Sequence, residues 1–160
     1  MEFKDIVGPI IVATIGALGF IIKKAIKLFI DPVSDLRKVI CECRCILAFR
    51  ANRICNPASK NPDDYFQKKK DEEFDEENLA DHVKTGKELR AAAVKLKISI
   101  DRVLVFKLFE IFKLIPRKER LIKASNILVR LSNSSISGSC EENVKDKELC
   151  ELLLVNEGKV

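Results

Sequence analysis

The run from Ile6 to Ile22 constrains this chain more than any other feature. It reads Ile-Val-Gly-Pro-Ile-Ile-Val-Ala-Thr-Ile-Gly-Ala-Leu-Gly-Phe-Ile-Ile and holds no ionisable side chain. Its 17 residues make roughly 25 Å of helix at about 1.5 Å per residue. A bilayer core is about 30 Å thick and takes roughly 17–25 apolar residues. The run just suffices, and Ala25, Ile26, Leu28, Phe29 and Ile30 extend the apolar surface past Lys23 and Lys24. Long lysine stems reach back to the headgroups, which lengthens the effective span. The pattern predicts a single transmembrane helix within residues 1–30, with everything after it in water.

Two alternatives are weaker. A secretory signal peptide needs a basic lead and a small-residue cleavage site. Here the lead is Met-Glu-Phe-Lys-Asp, and Lys23-Lys24 stands at the cleavage position. A buried helix of a soluble protein would be apolar too, but the lysine stop and the shift from apolar to amphipathic favour the membrane. Lys23, Lys24 and Lys27 flank the run on its C-terminal side, against Glu2, Lys4 and Asp5 on the other. The positive-inside rule then predicts a single-pass inner-membrane protein with a cytoplasmic C-terminal domain. Within the run, Pro9, Ala13 and Ala17 are spaced by four residues and Gly16 and Gly19 by three. Such small-residue faces let membrane helices approach closely, so these five positions are the expected packing face of a homo-oligomer. A plain anchor is the alternative.

The remaining 130 residues, Asp31 to Val160, suit one domain with a real core. The whole chain has 29 basic and 24 acidic residues; four and two of them lie in the first thirty, leaving 25 against 22. That mild excess does not argue for nucleic acid by itself. With no Trp, one Tyr and one His, surfaces for base stacking and histidine chemistry are both scarce. In a cytoplasmic domain Cys41, Cys43, Cys45, Cys55, Cys140 and Cys150 are expected as reduced thiols.

Asp31-Pro32 is a helix-start signal, so the membrane helix should bend or restart there. Apolar residues at Val33, Leu36, Ile40, Cys43, Leu47 and Ile54 predict an amphipathic helix. Val39 and Ile46 widen its stripe to suit a bundle, Arg50 interrupts it, and Asn56-Pro57 stops it. A polar loop, Pro57 to Asp64, and a charged block, Lys68 to Glu77, come next. A second helix runs to about Lys97 with Leu79, Val83, Leu89, Ala93 and Leu96 inward, and Gly86 weakens its middle. Asp101 to Ile115 is rich in Val, Leu, Ile and Phe, with Lys107, Glu110 and Lys113 at every third position. It is expected as the most buried helix of the bundle; the alternative is an interfacial helix on the inner leaflet. A further helix spans Arg117 to about Asn133, with Leu121, Ile122, Ser125, Leu128, Val129 and Ser132 on one side. A flexible linker at Ser134–Ser139 and a last helix at about Glu141–Val155 complete the chain. The fold class is all-α: one N-terminal transmembrane helix followed by a four- to five-helix cytoplasmic bundle over residues 31–160.

Chemistry-bearing patterns are few. Cys41-Glu42-Cys43-Arg44-Cys45 lies in a helix, where only Cys41 and Cys45 share a face, so no metal site is expected. His82 stands alone among acids and amides and reads as a surface residue. No glycine-rich phosphate loop, nucleophile elbow or kinase motif occurs, so neither a catalytic residue nor a cofactor is expected. Arg37, Lys38, Arg44, Arg50 and Arg53 follow Lys23, Lys24 and Lys27 along the first helices and are the candidate contacts to anionic lipid or to RNA phosphates. Arg50 is singled out, since a guanidinium in an apolar stripe needs a carboxylate partner.

Asp31-Pro32, Leu36 to Ile40, Asn56-Pro57, Leu89-Arg90, Pro116 and Ala124-Ser125 through Leu131-Asn133 resemble small bacterial proteins in which one membrane helix leads into a helical cytoplasmic domain. In architecture the chain is also similar to the membrane accessory proteins of type VI CRISPR RNA nucleases, which join a membrane helix to a HEPN-like bundle and assemble into pores. With the marginal span, the small-residue face and the absence of catalytic groups, the expected function is a non-enzymatic, self-associating, membrane-perturbing effector or accessory, in antiphage defence. The HEPN ribonuclease pattern needs an arginine four to six residues before its histidine; residues 75–78 ahead of His82 are Asp, Glu, Glu and Asn, and this departure speaks against nuclease activity. Expected partners are membrane lipid and further copies of the chain. A membrane-anchored adaptor that recruits a cytosolic protein is the alternative function, and an RNA-binding HEPN-like bundle a further one.

Overall fold

The computed structural model describes residues 3–58 and 76–155, with side chains described at 12–58 and 79–155. The elements are α1 (Phe3–Ala25), a π turn (Ile26–Ile30), α2 (Asp31–Phe49), α3 (Ala51–Cys55), α4 (Glu76–Arg102), α5 (Phe106–Ile111), α6 (Lys118–Ser134) and α7 (Cys140–Leu153). The described residues are thus all-helical, as the apolar periodicities predict. The charged block Lys68–Glu77 and most of the loop before it lie outside the described residues or side chains.

Asp31-Pro32 does not restart a helix. The backbone stays helical through Ala25, Ile30 and Asp31, and the Asp31 N–H donates to the Ile26 carbonyl. The reason is local. Pro32 has no N–H for the carbonyl four residues earlier, and its ring crowds that carbonyl. Widening by one residue into a π turn relieves both without breaking the helix. A continuous helical segment therefore runs from Phe3 to Phe49. Every large apolar side chain described between Val12 and Ile30 is exposed; Val33 is the first to enter the core. Among the described residues no helix is long and apolar enough to cross a membrane. The expected transmembrane helix thus has no support from the described structure.

The core is a closed arrangement of α2, α4, α6 and α7. Val33, Leu36, Ile40, Cys43 and Leu47 of α2 pack with Leu89, Ala92, Ala93, Leu96 and Ile100 of α4. Leu121, Ala124, Ile127, Leu128 and Leu131 of α6 and Cys150 and Leu153 of α7 complete it. α2 and α4 are antiparallel: Glu42 pairs with Lys95 and Arg50 with Asp81. The α4–α6 seam is lined by small residues. A Cβ on Gly86 would lie 2.8 Å from Ser135 Oγ and 2.9 Å from the Ser132 carbonyl. Ser125 Oγ donates to the Ala93 carbonyl at 3.1 Å. Gly86, read from sequence as a weak point of its helix, is what lets the two helices meet.

Three further expectations change. Asp101–Ile115 is not the most buried helix. Only Val103, Phe106 and Ile115 are buried there, while Leu104, Val105, Leu108, Ile111, Phe112 and Leu114 are exposed. Ser134 and Ser135 are not a free linker: Ser134 ends α6 and donates to Asn143 Oδ1 at 2.6 Å, and Ser135 is fully buried. Ile122 and Val129 point outward, and Ala124, Ile127 and Leu131 take the inward stripe of α6 instead.

Candidate functional site

Polar side chains gather at one end of the bundle. α2 stops at Arg50, whose backbone leaves helical geometry and starts α3. The turn swings the guanidinium onto α4. Nε and Nη2 of Arg50 donate to the two carboxylate oxygens of Glu88 at 2.8 and 2.9 Å, and Nη1 donates to Asp81 at 3.0 Å. Arg53, one turn on, donates Nε to the other Asp81 oxygen at 2.8 Å. This is the carboxylate partnership that an arginine in an apolar stripe requires. The Arg50 hydrogen bond holds Glu88 below the usual carboxylate range, against its burial. Burial would raise Asp81, but the bond from Arg53 and the charges of Arg50 and Arg53 outweigh it.

His82 lies beside this network and is 1 % exposed, not a surface residue. No hydrogen-bond partner among the described residues reaches its Nδ1. Burial, and then the Arg53 charge, push its pKa down. Sequence spacing held the signal: His82, Thr85 and Leu89 share one face of α4, but polar neighbours disguised it. Asn143 is likewise 2 % exposed, and its Nδ2 donates to the Ile54 carbonyl at 2.9 Å, tying α7 to α3.

The candidate cations are therefore divided. Arg50 and Arg53 are committed to carboxylates inside the fold, and Lys38 pairs with Asp35 at 3.3 Å on an exposed turn. Arg44 borders two adjoining open grooves of about 660 and 180 Å³ that also share Cys41 and Val155, and Arg37 borders the smaller one. Leu152 and Glu151 of α7 close the first, and Leu114 and Pro116 close the second. Cys41 and Cys45 are exposed on this face, whereas Cys43 is buried, as one helical face predicts. Burial pushes the thiols of Cys43 and Cys150 up to about 12, so both are inert. No cluster among the described residues could hold a metal ion.

On α1, Gly16 and Gly19 have open space where a Cβ would stand. Ala13 and Ala17 are exposed beside them, and the side chain of Pro9 lies outside the described set. Lys23, Lys24 and Lys27 are exposed, with the Lys24 ammonium 5.2 Å from the Phe20 ring centroid, a cation–π contact. No family model, no curated protein and no solved structure matches this chain.

Proposed function

We propose that this chain is a non-enzymatic, membrane-anchored helical bundle that self-associates and acts on the bilayer as a pore-like effector or accessory. α1 holds it to the inner membrane, and the bundle faces the cytoplasm. One observation carries the reading: the apolar side chains from Val12 to Ile30 are uncovered in a single copy. A continuous apolar surface of that kind is stable only against lipid or protein. Small residues at Ala13, Gly16, Ala17 and Gly19 suit a second copy on the same helix. His82 is enclosed, Arg50 and Arg53 are paired with carboxylates, and Cys43 and Cys150 are buried. A role in antiphage defence follows from the architectural likeness to CRISPR membrane accessories. The second reading, an anchored adaptor, draws on the open groove beside Cys41 and Arg44, where a cytosolic partner would sit.

Reconstitution separates these readings. The full chain is expected to float with vesicles of phosphatidylethanolamine and phosphatidylglycerol, to crosslink beyond a monomer and to release an entrapped dye. Ala13→Leu with Ala17→Leu should still float but release less dye and crosslink less. Protein left in the aqueous fraction, or strictly monomeric in detergent, overturns the proposal. Flotation with intact vesicles selects the adaptor.

A further inference from the structure

We infer that residues 104–114 form a second membrane contact, lying flat on an anionic leaflet beside the point where α1 leaves the bundle. The inference rests on the membrane reading above for its location, and on separate observations for its chemistry. First, the segment has two apolar faces. Phe106 is buried and Phe109 packs against the core, while Leu104, Leu108, Ile111 and Phe112 turn outward. Ile111 is 74 % and Phe112 65 % exposed. The inward pair packs α5 on the bundle, and the outward set is left uncovered.

Second, the segment sits at the α1 end. Because α4 runs antiparallel to α2, its C-terminal end, Arg102, comes to the level at which α2 begins. Leu114 and Pro116 border the same groove as Arg37 and Ile40 on the second and third turns of α2. The exposed apolar residues of 104–114 and those of Ile26–Ile30 therefore belong to one end of the molecule.

Third, the charge is one-sided. Arg102, Lys107, Lys113, Arg117 and Lys118 are exposed, and Glu110 is the single acid between 102 and 118. Glu110 is turned to the start of α6, where its carboxylate accepts the Lys118 backbone N–H. Asp101 and Glu119 flank the segment. Outward Leu, Ile and Phe among cations is the composition of an interfacial helix on acidic lipid.

Fourth, the chain stays strained to end α5 where it does. Lys113 has φ 53, the one positive φ among the described non-glycine residues. Its N–H donates to the Glu110 carbonyl and that of Leu114 to the Phe109 carbonyl, both at 2.9 Å, a Schellman closure that normally takes glycine. Lys113, exposed and next in sequence to the exposed Phe112, holds this position at a conformational cost.

The chain has no Trp, so Phe112→Trp supplies a single indole at the surface in question, and Phe49→Trp, 87 % exposed at the far end of α2, supplies its control. Full-length variants are reconstituted with brominated vesicles holding about one third phosphatidylglycerol, or phosphatidylcholine alone. The Phe112→Trp indole is expected to shift blue and be quenched in the anionic vesicles, and the Phe49→Trp indole to stay water-like. Lys107→Gln, Lys113→Gln and Lys118→Gln should weaken the contact roughly fivefold each. Flotation with a water-like Phe112→Trp indole overturns this inference alone and leaves the α1 anchor standing. Failure to float overturns both. Equal quenching in phosphatidylcholine overturns the anionic assignment. A blue shift in buffer that grows with protein concentration assigns the face to a second copy and overturns the lipid contact.

Discussion

The two ends of the bundle solve opposite problems. At the Arg50 end, polar side chains close on one another: Arg50 and Arg53 on Asp81 and Glu88, Asn143 on Ile54 and Ser134. At the α1 end, apolar side chains of the π turn and of residues 104–114 face outward among exposed cations. One end pairs its charged groups with one another, and the other leaves a cluster of apolar side chains uncovered. Substitutions at the first should change stability and leave vesicle binding alone, and substitutions at the second should do the reverse.

The largest effect is expected at the α4–α6 seam. Gly86→Val places carbon inside 3 Å of Ser135 Oγ and the Ser132 carbonyl, a backbone atom that cannot give way. Overpacking of this kind costs about 2–3 kcal/mol, read as a lower midpoint in urea. An unchanged midpoint would mean that the helices are not in contact there. Asn143→Ala comes next, at about 2 kcal/mol, because the buried Ile54 carbonyl loses its donor at 2.9 Å. Neither variant should alter flotation per folded molecule, and either one doing so would erase the contrast between the ends.

Arg50→Ala should cost about 1–2 kcal/mol, discounted for the part-exposure of the pair, with Arg50→Lys recovering part of it. Its sharper signature is in pH. Glu88 and Asp81 are held below the ordinary carboxylate range, so they stabilise the fold above it and cease to do so as pH falls through it. His82 is also lowered, but as a base. The unfolded chain takes up that proton near the ordinary histidine value of about 6.5 while the fold resists it. Stability should therefore begin to fall below about pH 6.5 and fall again in the carboxylate range. His82→Asn should flatten the first step and Arg50→Ala the second, in denaturation midpoints measured across pH.

How much of this the sequence disclosed follows from what each signal measures. Periodicity reports the face of a helix, so the inward stripe of α2 and the need of Arg50 for a carboxylate were legible. It does not report which of two apolar faces meets the core, and in residues 103–115 both are apolar. Arg50 found Asp81 and Glu88 because α4 returns antiparallel, a fact of topology that no spacing within α2 holds. The same return buried His82, whose neighbours in sequence are polar but whose neighbours in space are α6 and α3. Asp31-Pro32 misled for a different reason. A proline marks a lost hydrogen bond, and a π turn meets that loss as well as a helix start does.

The smallest expected effect has the opposite sign. Lys113→Gly removes the Cβ penalty of a left-handed residue while it loosens the unfolded chain, a net gain of about 0.5–1 kcal/mol. A higher midpoint alone would show only that α5 prefers glycine at its closure. The comparison of the two ends demands more. The same substitution removes one cation from the surface proposed to meet acidic lipid, so quenching of the Phe112→Trp indole should fall as stability rises. Lys113→Asn, which tolerates the left-handed region, should lose lipid contact to a similar extent with a smaller gain in stability. If Lys113→Gly gains stability and keeps its full lipid contact, the strain at Lys113 serves no surface.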